Sequence, residues 1–391
     1  MNILFDFVTL SRRTGAGEYV RCVFLHLLES VSRQQPTDVH LHVVWDSARG
    51  CAYDDMASIV ADPALAIKRH DIHSKAITAI VDEHHIDTFF IGCAQYLGIY
   101  NDVSRLHCRV ICVIHDLCYE EMQRENLDLY YKSLTKSTAS FVNWLLFHRN
   151  KWLRKNNFMP PVVEMLHQNG NATVIAVSEY TKHSIMYSYD IPENRIKVLY
   201  SPERVYQTAK GDVGESLRNI FSSNSKVFLL LGAQYDLKNS RKAINAFAHY
   251  SRQHPDAALL TVGYRGAPRF AAHHVLPFLS DSELQYAYKS CHALIYPSYF
   301  EGFGYPPIEA MHFGKPVIAT NIGAVREILE IAPPIFFCPF FETDIYQALC
   351  RFDAMDYAAL CRQSREAYTR IAARQAKDLD TITELIMSKT E

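Results

Sequence analysis

The chain has 391 residues, enough for two domains of ordinary size, and a net charge of -2 from 40 Lys+Arg against 42 Asp+Glu. That balance argues against a nucleic-acid protein, which would carry a strongly basic face or overall charge. No run approaches the roughly 18 apolar residues of a membrane span, and the opening MNILFDFVTL has neither basic leader nor cleavage site, so a cytoplasmic protein is expected.

Asn2 to Val8 reads as a short apolar strand, followed by Thr14-Gly15-Ala16-Gly17 and a helical pattern from Tyr19 to Val31. Strand, glycine loop and helix make an α/β opening, without the three-glycine spacing of a dinucleotide fingerprint. Gly15 and Gly17 are read either as a tight strand-to-helix turn or as a loop approached by a ligand. Strand His40–Trp45, a polar loop, helix Ser74–Glu83 and strand Thr88–Ile91 come next. Arg109–Ile114 is another strand, ending in His115-Asp116. A polar residue at the carboxyl end of a buried parallel strand points into the crevice where such sheets bind ligands, which makes His115 a site candidate beside the plainer reading of a satisfied strand-end histidine.

Ten cysteines are scattered through apolar strands with no C-x-x-C pair, the pattern of reduced core thiols. Cys108, Cys112 and Cys118 lie near His107 and His115, at spacings that fit no common zinc pattern. His84-His85 and His273-His274 read as surface pairs. From 127 to 158 runs a helical stretch in which Phe141, Trp144, Leu145, His148 and Trp152 recur at helical spacing beside Arg149, Lys151, Arg154 and Lys155. It is either a solvated basic face packed on its domain or an interfacial helix over 141–158 in peripheral contact with a membrane. Strand Thr173–Val177 leads into Ser178-Glu179, a helix start with serine as cap, and Ile196–Tyr200 closes the first domain.

Ser201–Asn224 is polar and is read as the linker, giving domains 1–203 and 224–372. The second restarts with strand Lys226–Leu231, Gly232, a loop, and helix Arg241–Ser251; Lys238 sits just before that helix, either as a solvated residue or as an ammonium within reach of a phosphate, with Arg241 as a second cation. Strands Leu259–Val262 and Val275–Leu279, helix Ser282–Lys289 and strand His292–Tyr296 continue the alternation of a parallel sheet. After Phe336–Pro339 the chain is helical to its end. Asp378-Leu379-Asp380 lies in that last helix and carries no metal role.

Between these last elements, Ser298 to Glu327 reads SYFEGFGYPPIEAMHFGKPVIATNIGAVRE. Glu301 opens a turn with Gly302 and Gly304, prolines 306 and 307 start a helix over Ile308–Phe313, Gly314 stops it, and Val317–Ala319 is a strand. A glycine turn feeding a helix N-terminus is an anion site, yet two carboxylates, Glu301 and Glu309, stand beside it. A ligand that satisfies both carries phosphate next to hydroxyls, as a nucleotide sugar does. A loop-capped helix with solvated acids is the alternative.

This stretch resembles the donor-site signature of the retaining glycosyltransferases of the GT-B fold, family four, the glycosyl transferases of group 1. The resemblance rests on Glu301, Gly302-Phe303-Gly304, Glu309 and Pro316-Val317. It implies an α/β protein of two Rossmann-like domains with parallel sheets facing a cleft, and a last helix, about 373–391, crossing back to the first domain. It implies that Glu309 holds the ribose, Glu301 the transferred sugar, and the amides of Phe303 and Gly304 the sugar and phosphate. Gly15 and Gly17 match its glycine loop facing phosphate or acceptor, and His115 its histidine near the sugar. The implied chemistry is hexose transfer from a nucleotide-diphosphate sugar to a glycan or lipid-linked acceptor, with retention and without metal or cofactor, in bacterial surface polysaccharide synthesis at the inner face of the membrane. Tyr305 and Pro307 depart from the usual aliphatic residues. Ala233 and Leu237 stand where relatives carry phosphate cations, leaving Lys238 as the main one. A nucleotide-sugar epimerase of the same fold, or a non-catalytic nucleotide-sugar-binding subunit, are the alternative functions.

Overall fold

The structure is a computed structural model that describes residues 1–34, 39–94, 103–122, 161–204, 211–223, 226–330 and 335–388. The basic aromatic stretch expected over 141–158 lies outside the described residues. Two compact units form: Met1–Val177, Thr181–Leu199 and Leu379–Glu391 make the first, Ser178–Tyr180 and Tyr200–Asp378 the second.

In the first unit, β1 (Asn2–Asp6) leads into α1 (Gly15–Gln34), then β2 (His40–Trp45), α2 (Asp54–Ala61), β3 (Lys68–Asp71), α3 (Ile77–Glu83), β4 (Thr88–Ile91) and β5 (Arg109–Ile114). There follow α4 (Cys118–Met122), α5 (Pro161–Gln168), β6 (Ala172–Ala176), α6 (Glu179–Tyr189), which belongs to this unit from Thr181 on, and β7 (Ile196–Val198). The seven strands pair in the order β3-β2-β1-β4-β5-β6-β7, all parallel. Central strands are apolar on both faces, as a sheet covered on both sides requires, so Ile3, Leu4 and Phe5 are all fully buried. Helix α1 buries Tyr19, Val20, Val23, Phe24 and Leu27, one stripe at helical spacing, and the Phe24 ring meets Phe5 and Phe7 edge-on at 4.9 and 4.8 Å.

The region expected as a polar loop between β2 and α3 holds α2 and β3. Strand β3 reads KRHD and is exposed or half-buried throughout, so an edge strand formed by pairing with β2 shows no apolar alternation. Gly15 and Gly17 do not form a loop: they lie in the first turn of α1, where Thr14 Oγ1 accepts from the Gly17 amide at 3.1 Å. Neither histidine pair is a plain surface pair. His84 is half-buried, its ring 5.1 Å from His42 and 4.6 Å from His70, and His273 is buried.

The second unit carries α7 (Glu215–Ser223), β8 (Lys226–Leu230), α8 (Ser240–Tyr250), β9 (Ala257–Val262), β10 (His273–Leu276), α9 (Asp281–Ser290), β11 (Ala293–Tyr296) and α10 (Tyr305–His312). It continues with β12 (Val317–Thr320), α11 (Gly323–Leu329), β13 (Ile335–Phe337), α12 (Glu342–Asp353) and α13 (Tyr357–Met387), whose residues from Leu379 onward belong to the first unit. The expected linker thus contains α7, which buries Leu217 and Ile220. The last helix starts well before residue 373 and runs 31 residues. Its Asp378 accepts from the Tyr200 amide at 2.8 Å and from Arg374 at 2.6 Å, and Asp380 pairs with His26 at 2.8 Å. Strand order is β10-β9-β8-β11-β12-β13, again parallel, with Phe228, Phe247, Tyr250 and Phe352 at the centre of the core.

In both sheets the strand order reverses once, between β1 and β4 in the first and between β8 and β11 in the second. Such reversal points leave a crevice outside the carboxyl ends of the strands, where open parallel sheets bind ligands.

Candidate active site

The second unit's reversal point is flanked by the loops after β8 and β11, and these carry Lys238 and Glu301. Lys238 Nζ stands 2.5 Å from Glu301 Oε1 and 3.4 Å from the Tyr296 hydroxyl, and lies over the Tyr296 ring at 5.2 Å from its centroid. Their side chains are 23% and 15% exposed, so the pair is only partly screened by water. Burial, and then the neighbouring Glu301 charge, raise the Tyr296 phenol well above its ordinary pKa, so it stays neutral.

Asn239 fixes Lys238. It adopts a left-handed conformation, φ 51°, and its buried side-chain amide donates to the carbonyls of Pro297 at 3.1 Å and Pro339 at 2.9 Å. One asparagine therefore ties the loop after β8 to those after β11 and β13. Arg241 is exposed in the first turn of α8.

Gly304 caps α10 with φ 102° and ψ 69°, a left-handed geometry that glycine adopts without the Cβ penalty. Pro306 and Pro307 stand in the first turn, where their missing N–H groups cost nothing. The helix starts earlier than the prolines suggested, at Tyr305. Gly302 and Phe303 are buried; the Gly302 carbonyl accepts from Ser178 Oγ at 2.8 Å, and the Phe303 ring is 5.4 Å from Tyr200 and 5.6 Å from Tyr305.

Glu309 lies inside α10 and is 7% exposed. Its Oε2 accepts from the Tyr288 hydroxyl at 2.6 Å and its Oε1 is 3.6 Å from Arg204. Sequence reading missed both partners. The loop after β8 and the glycine turn thus bring Lys238 to Glu301, and Glu309 follows inside α10.

In the first unit His115 follows β5, beside the sheet's reversal point. Its Nε2–H donates to the Gly92 carbonyl, after β4, at 2.8 Å, and Tyr19 meets its ring edge-on at 5.1 Å. A carbonyl only accepts, so the bond fixes the proton on Nε2. Desolvation pushes the imidazole pKa down to about 4, against the weaker opposing pull of that carbonyl, so the ring is neutral near pH 7. Gly17 is buried near the start of α1, and a Cβ there would come within 2.6 Å of the Tyr53 hydroxyl and 2.8 Å of the Arg12 carbonyl. Gly15, two residues earlier in the same turn, is exposed.

No group of three or more His, Cys, Asp or Glu placed to hold a metal occurs among the described residues. No helix of the described residues is long and apolar enough to cross a membrane.

Two parallel α/β units with a glycine-turn helix start after the fourth strand of the second define a GT-B fold of the glycosyltransferase type. Crystal structures of HepE from Anabaena with UDP and glucose, and of WaaG, a glycosyltransferase of lipopolysaccharide biosynthesis, share that fold. TM-scores are 0.64 and 0.60 at 16% and 15% identity, each covering 99% of this chain and 99% and 100% of theirs. Residues 215–333 match the family model described as Glycosyl transferases group 1. O-antigen chain mannosyltransferase RfbU of Salmonella typhimurium is 29% identical over 168 residues, 40% of this chain and 44% of its own. The serotype-specific mannosyltransferase WbdA of Escherichia coli is 24% identical over 273 residues, 63% of this chain and 29% of its own. The chain thus spans less than half the length of these relatives.

Proposed function

We propose that the protein is a retaining glycosyltransferase that moves a hexose from a nucleotide-diphosphate sugar to a glycan or lipid-linked glycan acceptor in surface polysaccharide assembly, without metal. The observation that carries this reading is the Lys238–Glu301 pair at the glycine turn before α10, with Glu309 held inside that helix. Cleavage of the sugar–phosphate bond puts negative charge on the departing diphosphate. The Lys238 ammonium and the amides of Phe303 and Gly304 in the glycine turn stabilise that charge as it forms. Arg241 supplies a second cation from the first turn of α8.

Glu301, held by Lys238, accepts hydrogen bonds from hydroxyls of the transferred sugar, and Glu309 accepts from the ribose. Neither acts as nucleophile; the donor's own phosphate oxygen takes the acceptor proton. His115, neutral and with Nε2–H engaged, lends the electron-rich side of its ring to the oxocarbenium-like centre. The names of the relatives make mannose the first hexose to test.

The experiment is incubation of the purified protein with UDP-, GDP- and ADP-sugars in EDTA, following release of nucleoside diphosphate and the fate of the sugar. Slow release from one donor is expected. Interconversion of the sugar with the diphosphate bond restored would replace this reading with an epimerase, and binding without turnover in the presence of a glycan acceptor would replace it with a binding subunit.

A further inference from the structure

Glu309 is the most deeply placed carboxylate of the candidate site, and two elements outside the signature hold it. Helix α9 begins with a capping box in which Ser280 and Glu283 satisfy one another's backbone amides. That fixes the helix start, and Asp281 and Tyr288, two turns apart, lie on one face of it. Tyr288 donates to Glu309 Oε2 at 2.6 Å. Arg204 stands between the two helices: one nitrogen is 3.0 Å from Asp281 Oδ1 and the other 3.6 Å from Glu309 Oε1. The residue before it, Glu203, reaches the same helix α10 one turn further on, 3.3 Å from His312 Nδ1, and accepts from the Tyr368 hydroxyl of α13. Successive residues of one extended segment therefore grip Glu309 and His312, which face the same way at i and i+3.

We propose that Arg204 is a positioning residue for the donor: it clamps the Glu309 carboxylate in the orientation in which both oxygens accept from a vicinal diol. The proposal rests on the reading of Glu309 as the ribose-binding acid. A carboxylate has about four acceptor sites, and Tyr288 uses one. With Tyr288 on Oε2 and Arg204 facing Oε1, rotation about the last side-chain bond is blocked and each oxygen keeps a lone pair for a hydroxyl. Without Arg204 the group pivots on its Tyr288 bond, and one of the two hydroxyl contacts is lost. The planar fork also spans Asp281 and Glu309 at once, which a lysine does not.

The test is titration of wild type, Arg204→Ala, Arg204→Lys and Glu309→Gln with UDP, GDP and ADP and with their 2′-deoxy analogues, each variant's thermal melt serving as the folding control. The wild type is expected to prefer the ribonucleotide. Arg204→Ala should weaken ribonucleotide binding about ten- to hundred-fold while changing the deoxy analogue far less, so that discrimination collapses; Arg204→Lys should fall between. Should Arg204→Ala fail to fold, Asp281→Asn, which loosens the outer anchor of Arg204, should shift the same ratio in the same direction by less.

Equal weakening of both nucleotides, or none, in a folded Arg204 variant overturns the clamp while Glu309→Gln still impairs binding. Indifference of binding to Glu309→Gln, or no binding of any of the three nucleotides by the wild type, overturns the donor reading and the clamp with it.

Discussion

Removing the Lys238 side chain should cost the protein twice, and the two losses separate experimentally. In the free protein Lys238 neutralises Glu301 at 2.5 Å, next to the desolvated Tyr296 phenol. A fully buried pair loses roughly 3–5 kcal/mol when one partner is deleted, and an exposed pair roughly 0–1. Side-chain exposures of 23% and 15% place this pair between those limits, so Lys238→Ala should destabilise the second unit by about 1–3 kcal/mol. Deleting both partners leaves no orphaned charge. The double variant Lys238→Ala/Glu301→Ala should therefore be less destabilised than the sum of the singles, with a coupling of about 1 kcal/mol or more. Denaturant midpoints of the four proteins, followed by far-UV circular dichroism, give that coupling. Additive singles, within about 0.3 kcal/mol, would refute the claim that the two act as a unit. The second loss concerns the ligand. Lys238→Ala should weaken binding of the donor's nucleoside diphosphate about ten- to hundred-fold, whereas Glu301→Ala should leave the nucleotide alone and weaken only the intact sugar donor.

Acid should weaken each unit separately. Burial, reinforced by neighbouring His70, pushes His42 down to about 4, and burial beside His274 and Arg269 does the same to His273; their residues are 1% and 2% exposed. Because the folded values lie below the unfolded 6.5, this stability is complete above about pH 6.5 and drains as pH falls toward 4. By pH 5 the loss is at most about 2 kcal/mol per imidazole, measurable as urea midpoints at pH 7.5 and 5; His42→Gln should flatten the dependence of the first unit. Gly17→Ala should cost about 1–3 kcal/mol through contact with Tyr53 and the Arg12 carbonyl, while Gly15→Ala should be neutral or slightly stabilising, a contrast that thermal melts resolve. His115→Ala should lower turnover with little change in nucleotide affinity, and wild-type kcat should show no titration of this imidazole between pH 6 and 8; unchanged turnover removes His115 from the chemistry.

The apolar strands were legible because both faces are buried: His40–Trp45, Thr88–Ile91 and Arg109–Ile114 match residue for residue. Strand β3 was not, because an edge strand with KRHD draws its order from β2 rather than from its own pattern. Helix α7 hid in a polar segment, with Leu217 and Ile220 as its buried residues. In the site, the glycine turn announced Glu301 and Glu309 locally, and Lys238 followed from its place before a helix. Arg204 and Tyr288 gave no local signal of their own. Arg204 follows the last short strand of the first sheet and Tyr288 reads as one more core aromatic, and only the stacking of α9 beside α10 joins them to Glu309. The spacing of Asp281 and Tyr288 on one helical face was the single hint available.

The most direct measurement is the anomeric configuration of the product. With the donor that releases nucleoside diphosphate in EDTA and a glycan acceptor present, proton NMR of the newly formed linkage should show the configuration of the donor, with a rate unaffected by added magnesium or manganese. A product of inverted configuration, or transfer that appears only when a divalent metal is supplied, would contradict the account.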